Sequence, residues 1–298
     1  MNLRTTLFGN DLEWRTNLSL LGYLYYCRLK SRNTLKRQNV RTAILAHVQN
    51  LRTRGFTILD SGLNVDNLEK AVSKYYQEIF ELKNGYAEMK QEEAKKLAPL
   101  FENVFEAIAP IITRHYQSYY KPLWGVIQRI VPGDADNNSS LGFHSDNNPV
   151  TSLKFMVYLQ DTTRDGGAFS IFDRGTMKKL CKEENYISQS NSMRANAHAA
   201  LRTRFGAELD KWIHSCVGKK GSIVIFDNNL IHKGTLPKSG KRDTVVFQLF
   251  PSEKPCSMSD IEHAFTRKQI SSPIVISGRK ILAKFSNPFL RPVQGANK

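Results

Sequence analysis

The sequence predicts an α+β protein whose helices come first and pack on an all-β core. Three observations predict this. Helix-compatible spacing dominates residues 1–121. From Leu123 onward the texture changes to short apolar runs separated by Gly, Asp and Asn turns, as in a β-sandwich or barrel. A single long polar, helix-prone stretch, residues 173–220, interrupts those runs as an insertion.

Residues 1–55 read as helical, with apolar spacing near 3.6 across Arg41 to Arg54 (RTAILAHVQNLRTR). Gly55-Phe-Thr-Ile-Leu59 reads as a short strand closed by Asp60-Ser-Gly62. Asp66-Asn-Leu-Glu69 has capping-box spacing and opens a helix through about Lys83. A further helix is predicted from Lys90 to Tyr120. Strands follow at Trp124–Val131, ended by Pro132-Gly133, at Thr151–Gln160 and at Ala168–Phe172 after an Asp161–Gly167 turn. The insertion is centred on Asn196–Ser215 (NAHAALRTRFGAELDKWIHS), and Gly221–Phe226 and Thr244–Phe250 complete the strands. The organisation is therefore a helical region over 1–121, a core over 122–250 and a basic extension over 251–298, irregular apart from the apolar Pro273–Ile276.

A chain of 298 residues can bury a full core without disulfide staples, and 41% hydrophobic with 23% charged residues is ordinary globular composition. Cys27, Cys181, Cys216 and Cys256 form no close pair, which argues against a cysteine zinc site and fits a reducing compartment. No apolar run reaches the roughly 18 residues of a spanning helix, and no secretory signal is evident near Met1. The expectation is a cytoplasmic protein, peripheral on the membrane face if attached at all.

The net charge of +16 is unevenly placed. Trp14 to Leu59 contains no acid and nine bases (Arg15, Arg28, Lys30, Arg32, Lys36, Arg37, Arg41, Arg52, Arg54). The chain after Glu262 contains no acid and seven (Arg267, Lys268, Arg279, Lys280, Lys284, Arg291, Lys298). These two regions carry the whole excess, a pattern that suits an anionic partner or simply a solvated basic face. The tyrosine-rich apolar segment Leu18–Cys27 ahead of the first basic run suits an interfacial membrane helix, and equally a core-packed helix.

The chemistry centres on His144-Ser145-Asp146. Two side chains at i and i+2 of an extended segment point to one side, so an imidazole and a carboxylate can reach one metal ion. His232, just after the strand SIVIF, supplies a third donor. Two histidines and one carboxylate form the facial set of non-haem Fe(II) oxygenases, leaving positions for a chelating co-substrate and oxygen. Arg242, at the start of the strand through Phe250, shares its face with Thr244. A guanidinium fork and a hydroxyl there suit the far carboxylate of a keto-diacid such as 2-oxoglutarate. Taken singly, each feature also has a bland reading: a chance H-x-D, a core histidine, a surface arginine.

Together, His144-Ser-Asp146, Gly166-Gly-Ala-Phe-Ser170, Gly221-Ser-Ile-Val-Ile-Phe-Asp-Asn-Asn-Leu-Ile-His232 and Arg242 resemble the Fe(II)/2-oxoglutarate-dependent dioxygenases, in particular their phytanoyl-CoA dioxygenase-like branch. The likeness covers about residues 122–250 plus the Gly55–Leu59 strand. It implies a double-stranded β-helix (jelly-roll) core, with His144, Asp146 and His232 as iron ligands. Arg242 and Thr244 would hold the co-substrate, and Gln128 and Lys154 are further contacts to it. The implied reaction is C–H hydroxylation, consuming O2 and 2-oxoglutarate. Asp146 fills the position that related halogenases leave small, which favours hydroxylation. The insertion and the basic termini depart from the pattern and leave the substrate open.

The expected substrate is anionic: an acidic sugar or lipid head group at a membrane surface, in general character similar to the Kdo of lipopolysaccharide, or an acyl-CoA. The alternatives are a nucleic-acid oxygenase or demethylase, a non-catalytic basic binding module on a jelly-roll scaffold, and a zinc hydrolase using the same three ligands. No nucleic-acid recognition motif is present, and Arg242 has no role in the hydrolase.

Overall fold

A computed structural model describes residues 14–35, 42–77, 85–133, 141–144, 146, 152–177, 179 and 202–266. Helices α1 (Trp14–Leu35) and α2 (Thr42–Thr53) precede strand β1 (Phe56–Leu59), helix α3 (Asp66–Gln77) and strand β2 (Tyr86–Glu88). Helix α4 (Gln91–Lys96), a 3₁₀ turn (Ala98–Phe101) and α5 (Glu102–Tyr116) lead into the long β3 (Tyr119–Ile130). Then come β4 (Leu153–Tyr158), β5 (Phe169–Phe172), α6 (Glu208–Trp212), β6 (Ile213–Cys216), β7 (Ile223–Asp227), β8 (His232–Lys233), β9 (Arg242–Ser252) and α7 (Met258–Thr266). The predicted helical end at Lys83, the middle of the 173–220 insertion and the apolar Pro273–Ile276 lie outside the described residues.

Several local expectations are corrected. Asp66 is the first residue of α3 rather than its cap. Asn64 Oδ1 accepts the Asp66 N–H at 2.9 Å, and the Asp66 carboxylate pairs instead with Lys220 Nζ at 2.5 Å. The single helix expected over 90–120 is broken near Pro99, which has no N–H to donate and disfavours helical geometry in the residue before it. Its far end stops at Gln117, which takes φ 58, so Tyr119 and Tyr120 already belong to β3. Strand β6 lies inside the stretch expected to be helical, and α7 lies in the tail expected to be irregular.

All strand pairs are antiparallel. Among the described residues, one sheet has six strands in the order β1-β7-β4-β9-β3-β2, and the other three in the order β6-β5-β8. Because side chains alternate across a strand, each strand of the larger sheet serves two environments. Phe155, Val157, Ile225, Val245, Phe247 and Leu249 face the helices, in one buried cluster with Val104, Phe105 and Ile108 of α5 and Phe265 of α7. Rings pack there in edge contacts, Phe105 against Phe247 at 5.1 Å and Phe247 against Phe265 at 5.0 Å. Gly125 is required at this crowding, since a Cβ would lie 2.6 Å from the Phe247 ring.

The opposite face looks at the smaller sheet. Phe56, Val126, Met156, Tyr158, Val224, Phe226 and Val246 pack there with Phe169, Ile171 and Cys216. Tyr158 spans the two layers: its hydroxyl donates to Cys216 O at 2.6 Å and accepts the Phe169 N–H at 3.3 Å. Within the described residues, no helix is long and apolar enough to cross a membrane.

Candidate metal centre

Backbone pairing brings His144 and His232 together. They form an antiparallel bridge in which each N–H donates to the other's carbonyl, at 2.9 and 2.8 Å. Facing residues of such a pair project from the same side, so the two imidazoles meet with centroids 4.4 Å apart. Two residues further on, Asp146 N–H donates to Asn228 O at 3.2 Å, which continues the pairing and returns the carboxylate to the same side. Asp146 Oδ1 lies 3.5 Å from His144 Nε2, and Oδ2 lies 3.7 Å from His232 Nε2. One donor atom from each of the three residues falls within 4.8 Å of the other two.

Each imidazole is oriented the same way. His144 Nδ1 lies 2.7 Å from Gly142 O, and His232 Nδ1 lies 2.7 Å from Leu230 O. A carbonyl can only accept, so each Nδ1 carries a proton and each Nε2 is turned toward Asp146. Burial is the main reason that the His232 imidazolium is disfavoured, its pKa falling to about 3, with His144 adding to the effect. Burial opposes ionisation of Asp146, but Lys154 and the two histidines outweigh it and hold the carboxyl well below the usual carboxylate range. A disfavoured His232 imidazolium and an ionised Asp146 carboxylate are what binding of a divalent cation needs at those two positions. The donor set fits a hard-to-borderline transition metal and lacks the thiolates of a structural zinc site.

The remaining candidates share the inner face of the larger sheet. Gln128 faces Thr244 across β3 and β9, and Thr244 faces Tyr158 on β4. Arg242 is fully buried. Its Nη1 donates to Gly167 O, while among the described residues Nε and Nη2 have no hydrogen-bond partner, and neither has the buried Thr244 Oγ1. Gly167 is needed in that turn: it has φ +83, and a Cβ would approach Thr235 O to 2.7 Å. Lys154 reaches the triad itself, its Nζ 2.5 Å from Asp146 Oδ2 and 5.5 Å from the Trp124 ring centroid. Gln128 is half-buried, and its Oε1 accepts the Tyr86 hydroxyl at 3.1 Å.

Burial of Arg242 goes against the bland alternative of a surface arginine in the KSGKR turn and keeps the side chain on the inner face with Thr244. Reading from sequence missed a buried polar set beneath the triad. Ser152 Oγ takes hydrogen bonds from Asn228 Nδ2 at 2.8 Å and Gln248 Nε2 at 3.0 Å. Gln248 had a legible signal, since it shares the parity of Arg242 and Thr244 on β9. Ser152 and Asn228 had none, because only tertiary pairing joins them.

No family model and no curated protein matches the chain. Among solved structures, HygX from Streptomyces hygroscopicus, with nickel and 2-oxoglutarate bound, is similar at 12% identity and TM-score 0.49, over 72% of this chain and 88% of that one. EctD from S. alaskensis with bound Fe is similar at 15% identity and TM-score 0.49, over 69% and 76% of the respective chains. The non-heme alpha ketoglutarate dependent carbocyclase SnoK from nogalamycin biosynthesis is similar at 15% identity and TM-score 0.49, over 72% and 85%. At these values the assignment of chemistry rests on this chain's own side chains.

Proposed function

We propose that the chain is an Fe(II)/2-oxoglutarate-dependent dioxygenase that hydroxylates a C–H bond of an anionic substrate. Its two facing antiparallel sheets would be the double-stranded β-helix core of that class. One observation carries the reading: a His–Asp–His donor cluster opens onto the same inner face on which a buried arginine and threonine leave three polar atoms unpaired. Burying unpaired polar groups is costly, so their retention is best explained by a ligand that answers them.

His144, Asp146 and His232 would hold the ferrous ion, which with 2-oxoglutarate supplies the power to oxidise a C–H bond, succinate and CO2 being released. The protein's residues do the positioning. The hydrogen bonds from Nδ1 to Gly142 O and Leu230 O fix both ring planes before any ion arrives. Arg242 Nε and Nη2 with Thr244 Oγ1 would take the far carboxylate of the co-substrate as a charge-assisted fork. Lys154 balances Asp146, and with Gln128 it would contact the co-substrate. Phe169 and Phe226, with centroids 5.4 and 5.2 Å from the His232 ring, keep water from that side of the site.

The preference for an anionic substrate rests on the acid-free stretch from Trp14 to Leu59. On α1 of that stretch, Leu21, Tyr25 and Leu29 are exposed one helical turn apart, which suits an acidic sugar or lipid head group presented at a membrane surface. The test is metal analysis of protein prepared without oxygen, with succinate release measured across a panel of anionic substrates. Asp146→Ala is expected to abolish ferrous binding and 2-oxoglutarate turnover. Full activity in that variant would overturn the proposal.

A further inference from the structure

A second concave site lies at the other end of the molecule's inner layer. The edge strands β1 and β6 leave a cavity of about 390 Å³, lined by Asn50, Arg54, Phe56, Arg164, His214 and Ser215, with Thr57, Ile58 and Ile213 completing the wall. Its polar lining is dominated by donors: two guanidinium groups, an amide, an imidazole and hydroxyls. Among the described residues, no carboxylate lines it.

The arginine at its centre is held in place without being neutralised. The Arg54 guanidinium sits 4.5 Å from the Phe56 ring centroid, and its Nη2 lies 3.5 Å from His214 Nδ1. His214 in turn packs on Phe56 at 5.3 Å and places Nε2 3.4 Å from Asp173 Oδ2. That arrangement is consistent with an Nε2–H tautomer, with Nδ1 free to accept from Arg54. Asp173 is the nearest acid in this chain of contacts, and it bonds the histidine rather than the arginine. Among the described residues, neither Arg54 nor Arg164 forms an ion pair with a carboxylate. A stacked, unneutralised guanidinium fork is the group best suited to a planar or tetrahedral oxyanion.

The cavity is separate from the metal centre. His214 and His232 face Ile171 from the two neighbouring strands, so they stand two strand spacings, about 10 Å, apart. Ile171 and Phe226, each at most 1% exposed, fill the layer between them, and Phe226 is paired with Phe56 across β7 and β1.

We propose that this pocket is an oxyanion-binding site, distinct from the triad, that takes the phosphate or carboxylate group of a small-molecule ligand through Arg54 and Arg164. The proposal is independent of the ferrous reading, because it invokes no metal and no residue of the inner site.

The test uses the full chain, freed of metal. Thermal denaturation and calorimetry are run with inorganic phosphate in one arm and malonate in the other, against chloride at equal ionic strength. Saturable stabilisation is expected in at least one arm, and the stronger arm identifies the oxyanion. Arg54→Gln should weaken it by about tenfold or more and Arg164→Gln several-fold, and Arg242→Gln should leave the phosphate arm unchanged. Arg54→Lys keeps the charge and loses the fork, and should fall between wild type and Arg54→Gln. If Arg54→Gln fails to fold, Arg164→Gln and Arg54→Lys decide the matter. The proposal is overturned if neither anion binds above the chloride control, if binding survives both Arg54 and Arg164 substitutions, or if Arg242→Gln is the variant that removes it.

Discussion

Strand β9 carries two adjacent buried charges that are treated in opposite ways. Asp243 points toward the helices and is fully matched. Arg129 Nε and Nη2 meet its two oxygens at 2.6 and 2.7 Å, Lys241 adds a contact at 3.3 Å, and the Arg129 guanidinium lies over the Tyr76 ring at 4.6 Å. Arg242, one residue earlier, points the other way and has one backbone partner and two unanswered nitrogens. Both residues are completely buried. The difference separates architecture from function: a charge whose partners are all within the fold is completing the fold, and one left short is waiting for something that the fold does not contain.

The largest effect should come from breaking the matched side. Asp243→Ala leaves Arg129 buried without its carboxylate, and removing one partner of such a pair costs about 3–5 kcal/mol. Urea denaturation should show the unfolding free energy falling by that amount, read as the midpoint shift multiplied by the m-value. A loss below about 1 kcal/mol would mean that the pair is solvated in practice and that the contrast between the faces is weaker than drawn.

The unmatched side should respond in the reverse sense. Arg242→Met removes a buried cation whose folded-state pKa is already depressed by desolvation, and it fills similar volume. Stability should hold or rise. The 2-oxoglutarate KM should climb about 100-fold, equivalent to about 2.7 kcal/mol of lost binding. A large stability loss with unchanged KM would reverse the assignment and make Arg242 structural.

Much of this contrast was legible from sequence, and the parts that were not share a cause. Strand alternation over Thr244–Phe250 and the i, i+2 spacing of His144 and Asp146 are local properties, so they survive reading without a fold. Strand β8 is two residues long and β6 four, both created by pairing with β5 rather than by their own composition. The KSGKR context of Arg242 is polar and by itself fits a surface turn as well as a binding residue. Burial there comes from Tyr158, Gly167 and β4, all remote in sequence. The break near Pro99 is a local property as well, since proline lacks an N–H and disfavours helical geometry before it.

A third orphan sharpens the rule by failing it. His115, near the end of α5, has a buried Nδ1 without a hydrogen-bond partner among the described residues, but it sits on a helix rather than on the strand face that carries Arg242 and Thr244. Burial, reinforced by Arg52, Arg174 and Arg28, pushes its pKa down to about 4. The folded state therefore binds fewer protons than the unfolded chain between pH 6.5 and 4, and stability declines as pH falls through that window. His115→Gln should flatten the decline by about 2–4 °C in Tm near pH 4, leaving the share due to His232 and His47, whose pKa values are also lowered by burial. Turnover at neutral pH should not change. A loss of turnover would mean that one unpaired atom suffices to mark a site.

The smallest effect is the most discriminating. Thr244→Val keeps the shape of the side chain and deletes only the hydroxyl, whose oxygen is buried and unpaired. In a purely structural role the hydroxyl is a burden, and removing it should stabilise the protein by up to about 1 kcal/mol. In a co-substrate role its removal should also raise the 2-oxoglutarate KM by about three- to fivefold, the worth of one hydrogen bond. Both shifts are expected together, a more stable protein that binds its co-substrate less well. Stabilisation with an unchanged KM would leave the carboxylate to Arg242 alone, and destabilisation would show that the hydroxyl has a partner in the folded chain after all.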